Sequence, residues 1–319
     1  MRSRRVNAMG WKAKLVKDNI KAALPFPDQL RRWKRSLSPY RPNAANTALA
    51  LSQGLEQLAL IKGAGVTPAG KRVVEFGSGW VPVIPLLFSI AGARRVIMTD
   101  VDRLMDRQTL LIAVAGLSDR AGEIAAALGI PLEQVRLRLS AAAPASSFDD
   151  LLERFSLTYQ IPYDLDACAD SSLDIVISRA VFEHISPPAL EALLKTCRHK
   201  LSAGGVMCHI IDNSDHWEHG DKSISRVNFL KYPDPLWQLT VLNAQNYQNR
   251  LRHDDYLGLL ARCGYQVVIE RGDVDPGALG ALRTLPLARR FAGRPPEILA
   301  ALTSYIVAVA QEQPQTCVA

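Results

Sequence analysis

The chain has 319 residues, with 38 Lys and Arg against 31 Asp and Glu, a formal charge of +7 and 48% hydrophobic residues; a chain of this length buries a full core without disulfide or metal staples. The charge is uneven: residues 1–35 hold eleven basic side chains against Asp18 and Asp28, which leaves 27 basic and 29 acidic residues (38 less 11, 31 less 2) in the other 284. A histone-like basic protein is thereby excluded, and the composition describes a near-neutral globular body with a basic arm.

The chain opens on MRSRRVNAMGWKAKLVKDNI, which is basic but lacks the apolar run of a secretory signal. Lys12, Lys14, Lys17 and Lys21 recur near helical spacing and interleave with Trp11, Leu15 and Ile20, which predicts an amphipathic basic helix. Such a helix is either a solvated face or an arm for phosphates, an anionic surface or an acidic carrier protein. No nucleic-acid module accompanies it, so nucleic acid is not an expected partner. Prolines at 25, 27, 39 and 42 punctuate the next stretch. Leu49, Leu51, Leu55, Leu58, Leu60 and Ile61 then suit a helix from Asn46 to Lys62. Residues 1–66 thus read as a basic helical extension, with Tyr40, Asn43 and Asn46 as parts of a lid, and residues 67–319 as the ligand-binding domain.

From residue 71 the pattern becomes strand–turn–helix. KRVVEFGSG predicts a first strand and a glycine turn, PVIPLLFSIAG a helix, and RRVIMTDVD a second strand ending in acids. Residues 103–158 read as mostly helical. LTYQIPY, LDIVISRA and AGGVMCHIID predict strands three to five, with the helix PPALEALLKTCRHKL between the last two. YQVVIERG and TSYIVAVAQ complete seven strands. This alternation predicts an α/β, doubly wound, Rossmann-like and mostly parallel sheet. An insertion over residues 213–256 separates strand five from strand six. The cysteines Cys168, Cys197, Cys208, Cys263 and Cys317 show no C-x-x-C spacing and read as reduced thiols. The longest apolar stretch, Val81 to Ala93, carries Pro82 and Pro85 and is too short to span a bilayer. A cytoplasmic location is expected; the oligomeric state is open.

The strongest chemical signal is Glu75-Phe76-Gly77-Ser78-Gly79-Trp80. Glycines at a strand-to-helix turn allow φ > 0 and close approach of backbone to ligand. Glu75 can accept hydrogen bonds from a ligand ammonium. Asp100 and Asp102 end strand two about twenty residues later, where an acid grips ribose hydroxyls. A dinucleotide fingerprint would place a third glycine where Pro82 stands. The pattern E-x-G-x-G instead resembles motif I of the class I S-adenosylmethionine-dependent methyltransferases. Ser171 to Ile185 is similar to the strand-four motif of that family, Leu201 to Met207 to its turn into strand five, and Cys263 to Val268 to its entry into strand six. Trp80 and Val81 depart from the usual residues after the second glycine. The resemblance implies S-adenosylmethionine as cofactor, held by Glu75, Gly77, Ser78, Gly79, Trp80, Asp100, Asp102 and Ser178, with Asp164 or Asp166 near the adenine.

Reacting groups in open α/β sheets lie at the carboxyl ends of the strands. Strand four ends in Ser178, Arg179, Glu183 and His184. Strand five runs into His209 to His219, with three histidines, Asp212, Asp215 and Glu218. His216 oriented by Asp212 is the candidate base, with His184 and Arg179 as further catalytic candidates. A metal site and a polar loop closing over the cofactor are the other readings of this window, and no metal is expected because regular ligand spacing is absent. Tyr232, Trp237, Tyr247 and Tyr256 either line a pocket or pack the insertion. Arg250 and Arg252 either bind an acidic substrate or are solvated. The resemblance implies methyl transfer to a small molecule, such as a glycan or secondary-metabolite precursor. Some proteins resembling this superfamily instead cleave the aminocarboxypropyl arm, for example by ring closure to azetidine-2-carboxylate and methylthioadenosine, and a non-catalytic binding module is the third reading.

Overall fold

A computed structural model describes residues 10–22, 40–240 and 247–311. The basic residues before Gly10, the prolines at 25, 27 and 39, residues 241–246 of the insertion and Cys317 lie outside the described residues. The strands are β1 (Arg72–Phe76), β2 (Arg95–Thr99), β3 (Leu157–Gln160), β4 (Leu173–Arg179), β5 (Leu201–Asp212), β6 (Tyr265–Val274) and β7 (Ala301–Ala310). They form one sheet in the order β3-β2-β1-β4-β5-β7-β6. The first five strands are mutually parallel, and β7 runs antiparallel between β5 and β6. The protein is therefore an α/β Rossmann-like fold with a doubly wound, mostly parallel sheet, as the alternation of elements predicted. The antiparallel insertion of β7 is the one topological feature that the alternation does not contain.

Alternate strand residues feed two cores, because successive side chains of a strand point to opposite faces. Val73, Val96, Ile175, Val206 and Val307 face one layer, built from α2 (Ala44–Gly63), α3 (Val83–Ile90), α4 (Arg107–Ser118), α5 (Ala121–Leu128), α6 (Leu132–Ser140) and α7 (Phe148–Arg154). Val74, Val176, Met207 and Ile306 face α8 (Pro187–Lys200) and α10 (His253–Arg262). The β3–β4 connection supplies no helix to this second face. A groove of about 570 Å³, lined by Arg72, Arg94, Arg95, Ile97, Thr158 and Gln160, is left there.

The basic segment does form a helix, α1 (Trp11–Ala22). Trp11 is buried against Trp217 and Tyr232, at 6.2 and 5.9 Å between ring centroids, and its backbone N–H donates to Asp221. This anchor belongs to a third core, which also holds Phe229, Trp237 of α9 (Asp234–Thr240), Ala278 of α11 (Pro276–Leu282) and Leu299 of α12 (Pro296–Ala300). Helix α2 packs instead in the first core, through Leu51, Leu58 and Ile61. Asn43 caps it, exchanging hydrogen bonds with Asn46 in a capping box. No helix among the described residues is long and apolar enough to cross a membrane.

Arg250 and Arg252 correct the sequence reading: they are neither solvated nor open to a substrate. Arg252 is fully buried and donates to the carbonyls of Asn213, Leu299 and Ala301 at 2.7, 2.9 and 3.0 Å. Arg250 donates to the carbonyls of Phe229 and Tyr232 and to Asp234. A rigid fork of five donors suits the tying of several carbonyls that no regular ladder reaches. Truncation of Arg252 to Ala removes this donor from three buried carbonyls, of which that of Ala301 keeps the Asn213 side-chain amide, and leaves a void. We expect a loss of about 3 kcal/mol or more in urea denaturation, with Arg252→Lys recovering part of it.

Candidate functional site

The turn after β1 is built from backbone requirements. Gly77 and Gly79 adopt φ of +70° and +62°, which residues with a Cβ rarely take. A Cβ at Gly77 would lie 2.4 Å from Cγ2 of Val181 in the turn after β4, whereas a Cβ at Gly79 would meet only the Gly77 carbonyl, at 3.9 Å. The Ser78 N–H donates to the Thr99 carbonyl at 2.8 Å, and the Gly79 N–H to Oδ2 of Asp100 at 2.8 Å. The other Asp100 oxygen accepts from the Val101 N–H at 2.7 Å. Asp100 is thus oriented by backbone on both oxygens, and each keeps lone-pair capacity for a further donor. Glu75 is 4% exposed, and its Oε2 has no hydrogen-bond partner. Burial pushes its carboxyl up to about 7, against a smaller opposing effect of the Ser78 hydroxyl. Tyr40 stands edge-on to Trp80 at 5.5 Å between centroids, so the segment before α2 reaches the glycine turn. Arg41 holds that segment through Asp106 and Thr109.

The remaining residues expected near a cofactor are dispersed. Ser178 is buried, with its hydroxyl 2.8 Å from Nδ1 of His209. Asp102 is half-buried beyond β2. Asp164 and Asp166 are exposed on the β3–β4 connection; Asp164 accepts from the Ala167 N–H, and the Asp166 carbonyl accepts from Lys200.

A second polar cluster forms across the ends of β4 and β5. A single turn of 3₁₀ helix, Phe182–His184, follows β4. The return segment of the insertion holds it: the Asn249 side chain donates to the carbonyls of Phe182 and Ile185, and the Asn249 backbone N–H to that of Glu183. Tyr256 in turn donates to Asn249. Of the four aromatic candidates, Tyr232 and Trp237 stack in the third core, Tyr247 is packed against it, and Tyr256 is buried in the second. His184 and His216 lie 5.0 Å apart between ring centroids, and His219 stacks on His216 at 5.0 Å. Nε2 of His216 stands 3.4 Å from Oδ2 of Asp212. Burial opposes ionisation of Asp212, but the neighbouring His216 imidazole and the hydrogen bond from the Ser214 N–H outweigh it and hold the carboxyl below the ordinary carboxylate range. Arg179 turns away toward α2, 3.7 Å from Glu56. Asp215, buried and accepting from the Trp217 N–H and Asn228, shapes the loop itself. The structure thus brings together His184, His216 and Asp212, and adds Glu183, which is 2% exposed. Its burial was legible only as a place beside His184 in the strand-four motif; the clamp by Asn249 carried no local signal.

No family model matches the chain, and no curated protein matches it. Among solved structures, it is similar to magnesium protoporphyrin IX methyltransferase from Synechocystis PCC 6803 with bound SAH, at 14% identity and a TM-score of 0.46, covering 89% of this chain and 94% of that one. Phosphoethanolamine N-methyltransferase 2 from Haemonchus contortus follows at 13% and 0.45, covering 85% and 58%. The CurJ carbon methyltransferase stands at 14% and 0.43, covering 86% and 57%. The chain spans under two thirds of the length of the last two.

Glu75 yields a pH test. Its folded value near 7 exceeds the ordinary 4.5, so the folded state holds an extra proton between these values, and stability falls as pH rises through the window. At about 1.4 kcal/mol per pH unit, the stability of Glu75→Gln minus that of the wild type should grow by about 2–3 kcal/mol between pH 5 and pH 8. Urea denaturation of the two ligand-free proteins measures it; a difference independent of pH would refute the assignment.

Proposed function

We propose that the protein is an S-adenosylmethionine-dependent transferase, which methylates a small molecule held at the carboxyl ends of β4 and β5. The observation that carries this reading is the turn itself. Two left-handed glycines, an orphaned buried Glu75 oxygen and an Asp100 carboxylate pinned by the Gly79 N–H occupy one edge of the sheet. The donor set fits a cationic adenosyl nucleoside. The open space over Gly79 admits the ligand, the spare lone pairs of Asp100 accept from ribose hydroxyls, and buried Glu75 offers an anionic partner to positive charge. Ser78, Trp80, Asp102 and Ser178 stay in this assignment as flanking groups, and Asp166 as the adenine-side candidate.

When bound, the sulfonium supplies an electrophilic methyl group. The chain positions the partners and excludes water. Tyr40 against Trp80 covers the glycine turn. His184, His216 and Asp212 face the acceptor. In the ion-free protein, His216 beside Asp212 is placed to receive the acceptor's proton, and Arg179 lends positive charge behind them. The basic arm is assigned the role of a docking helix for the insertion. A cytoplasmic protein that needs no nucleic acid is the setting this reading implies.

Incubation with S-adenosylmethionine and no other substrate, followed by mass spectrometry, tests the reaction. No methylthioadenosine should form, and S-adenosylhomocysteine should appear only with a suitable acceptor. Methylthioadenosine would point to attack on the aminocarboxypropyl arm; binding without turnover across a broad acceptor screen would point to a binding module. Asp100→Ala should weaken nucleoside affinity at least tenfold by calorimetry, and unchanged affinity would remove the ribose assignment.

A further inference from the structure

We propose that Glu183, His184 and His216 form a site for a divalent first-row transition-metal ion of the Zn²⁺ type. One carboxylate oxygen of Glu183 and one nitrogen of each imidazole lie within 4.8 Å of one another. Glu183 is 2% exposed, and neither of its carboxylate oxygens makes a well-formed hydrogen bond among the described residues, although the backbone N–H groups of Glu183 and Asp212 favour its charged form. A buried carboxylate without a partner is costly, and a cation is the ligand that removes this cost on both oxygens at once.

The imidazoles are prepared for the same ligand. Nδ1 of His184 is 2.8 Å from the Tyr247 carbonyl. A carbonyl only accepts, so Nδ1 carries the proton and Nε2 keeps its lone pair. Backbone carbonyls orient metal-ligating histidines in this way. Nε2 of His216 is buried and has no hydrogen-bond partner, although Oδ2 of Asp212 stands 3.4 Å away. Asp212 is not part of the group of three, and stands beside His216 as a neighbouring carboxylate that favours positive charge there. Two imidazoles with carboxylates favour zinc and its neighbours over magnesium and calcium, which prefer oxygen ligands. The ligands come from two different loops, which is why no regular spacing marks the site in the sequence.

The inference deepens the proposed function and rests on it for the acceptor alone. With the ion bound, His216 is a ligand rather than a base, and an acceptor oxygen on the ion is acidified by it. The ion site itself is tested without turnover. Chelator-stripped, tag-free full-length protein is titrated with Co²⁺, read by visible absorption, and with Zn²⁺, read by calorimetry. One equivalent should bind, with ligand-field bands of low coordination number for Co²⁺. Affinity should fall at least tenfold in Glu183→Gln and in His216→Ala, and Asp100→Ala should titrate like the wild type. Glu183→Gln is isosteric and keeps a neutral polar group in the buried position, so circular dichroism should show it folded. Absence of saturable binding near one equivalent, or equal affinity in wild type and both variants, overturns the site. Nucleoside affinity measured on the same samples separates the two proposals: ion binding without nucleoside binding would overturn the function and leave the site standing.

Discussion

The two polar poles of the molecule are joined by one steric constraint, the contact of Gly77 with Val181. A Cβ at Gly77 would fall 2.4 Å from the Val181 side chain, so only a glycine lets the turn after β4 close on the turn after β1. Val181 leads directly into Phe182–His184, and the Ala180 N–H is tied to the Ile210 carbonyl of β5. Ala180 itself takes a φ of +52°, a conformation that surrounding structure must enforce in a residue with a Cβ. Through this chain of contacts the Glu75–Asp100 pole and the Glu183–His216 pole share one edge of the sheet.

The rest of the edge depends on the insertion being held rigidly. Asn249, Arg250 and Arg252 do this from one short return segment. Asn249 reaches the turn after β4, Arg250 the 3₁₀ turn Asn228–Lys231, and Arg252 the ends of β5 and α12. All three bond to backbone carbonyls at turns and at the ends of strands and helices, where the regular ladders stop. Arg250 also takes a φ of +59°, so the segment is bent to make these contacts. The arginines sit where solvent-facing charge would be expected from their neighbours in sequence, because their acceptors lie far away along the chain.

That contrast explains which features were legible. The strands and the α/β class follow from local periodicity, and Glu75, Gly77, Gly79 and Asp100 sit at fixed offsets around one turn, so both could be read directly. The basic helix was legible as a helix. Its anchor on Trp217 and Tyr232 was not, since aromatic contacts across more than two hundred residues leave no trace in spacing. The place of β7 between β5 and β6 was equally hidden, because strand order is set by packing and not by the pattern of any one strand. The histidine-rich window was legible as chemistry but not as geometry. Within it His216 meets Asp212 and stacks with His219, while Asp215 turns inward to shape the loop and His209 pairs with Ser178.

The electrostatics of the two poles point the same way. Glu75 and Glu183 are both buried carboxylates, and burial raises the pKa of each. Among the described residues neither is matched to a cation by a short ion pair, although basic residues elsewhere in the body pair readily, as Lys200 does with Asp170 and Arg41 with Asp106. A fold that needed only packing at these positions would be served better by glutamine or an apolar residue, at less desolvation cost. Two buried acids at the ends of adjacent parallel strands are therefore the groups on which both proposals rest, the proposed nucleoside site at one and the proposed metal site at the other. The close approach of Gly77 to Val181 ties the turns that carry them, so a side chain at position 77 would disturb both together.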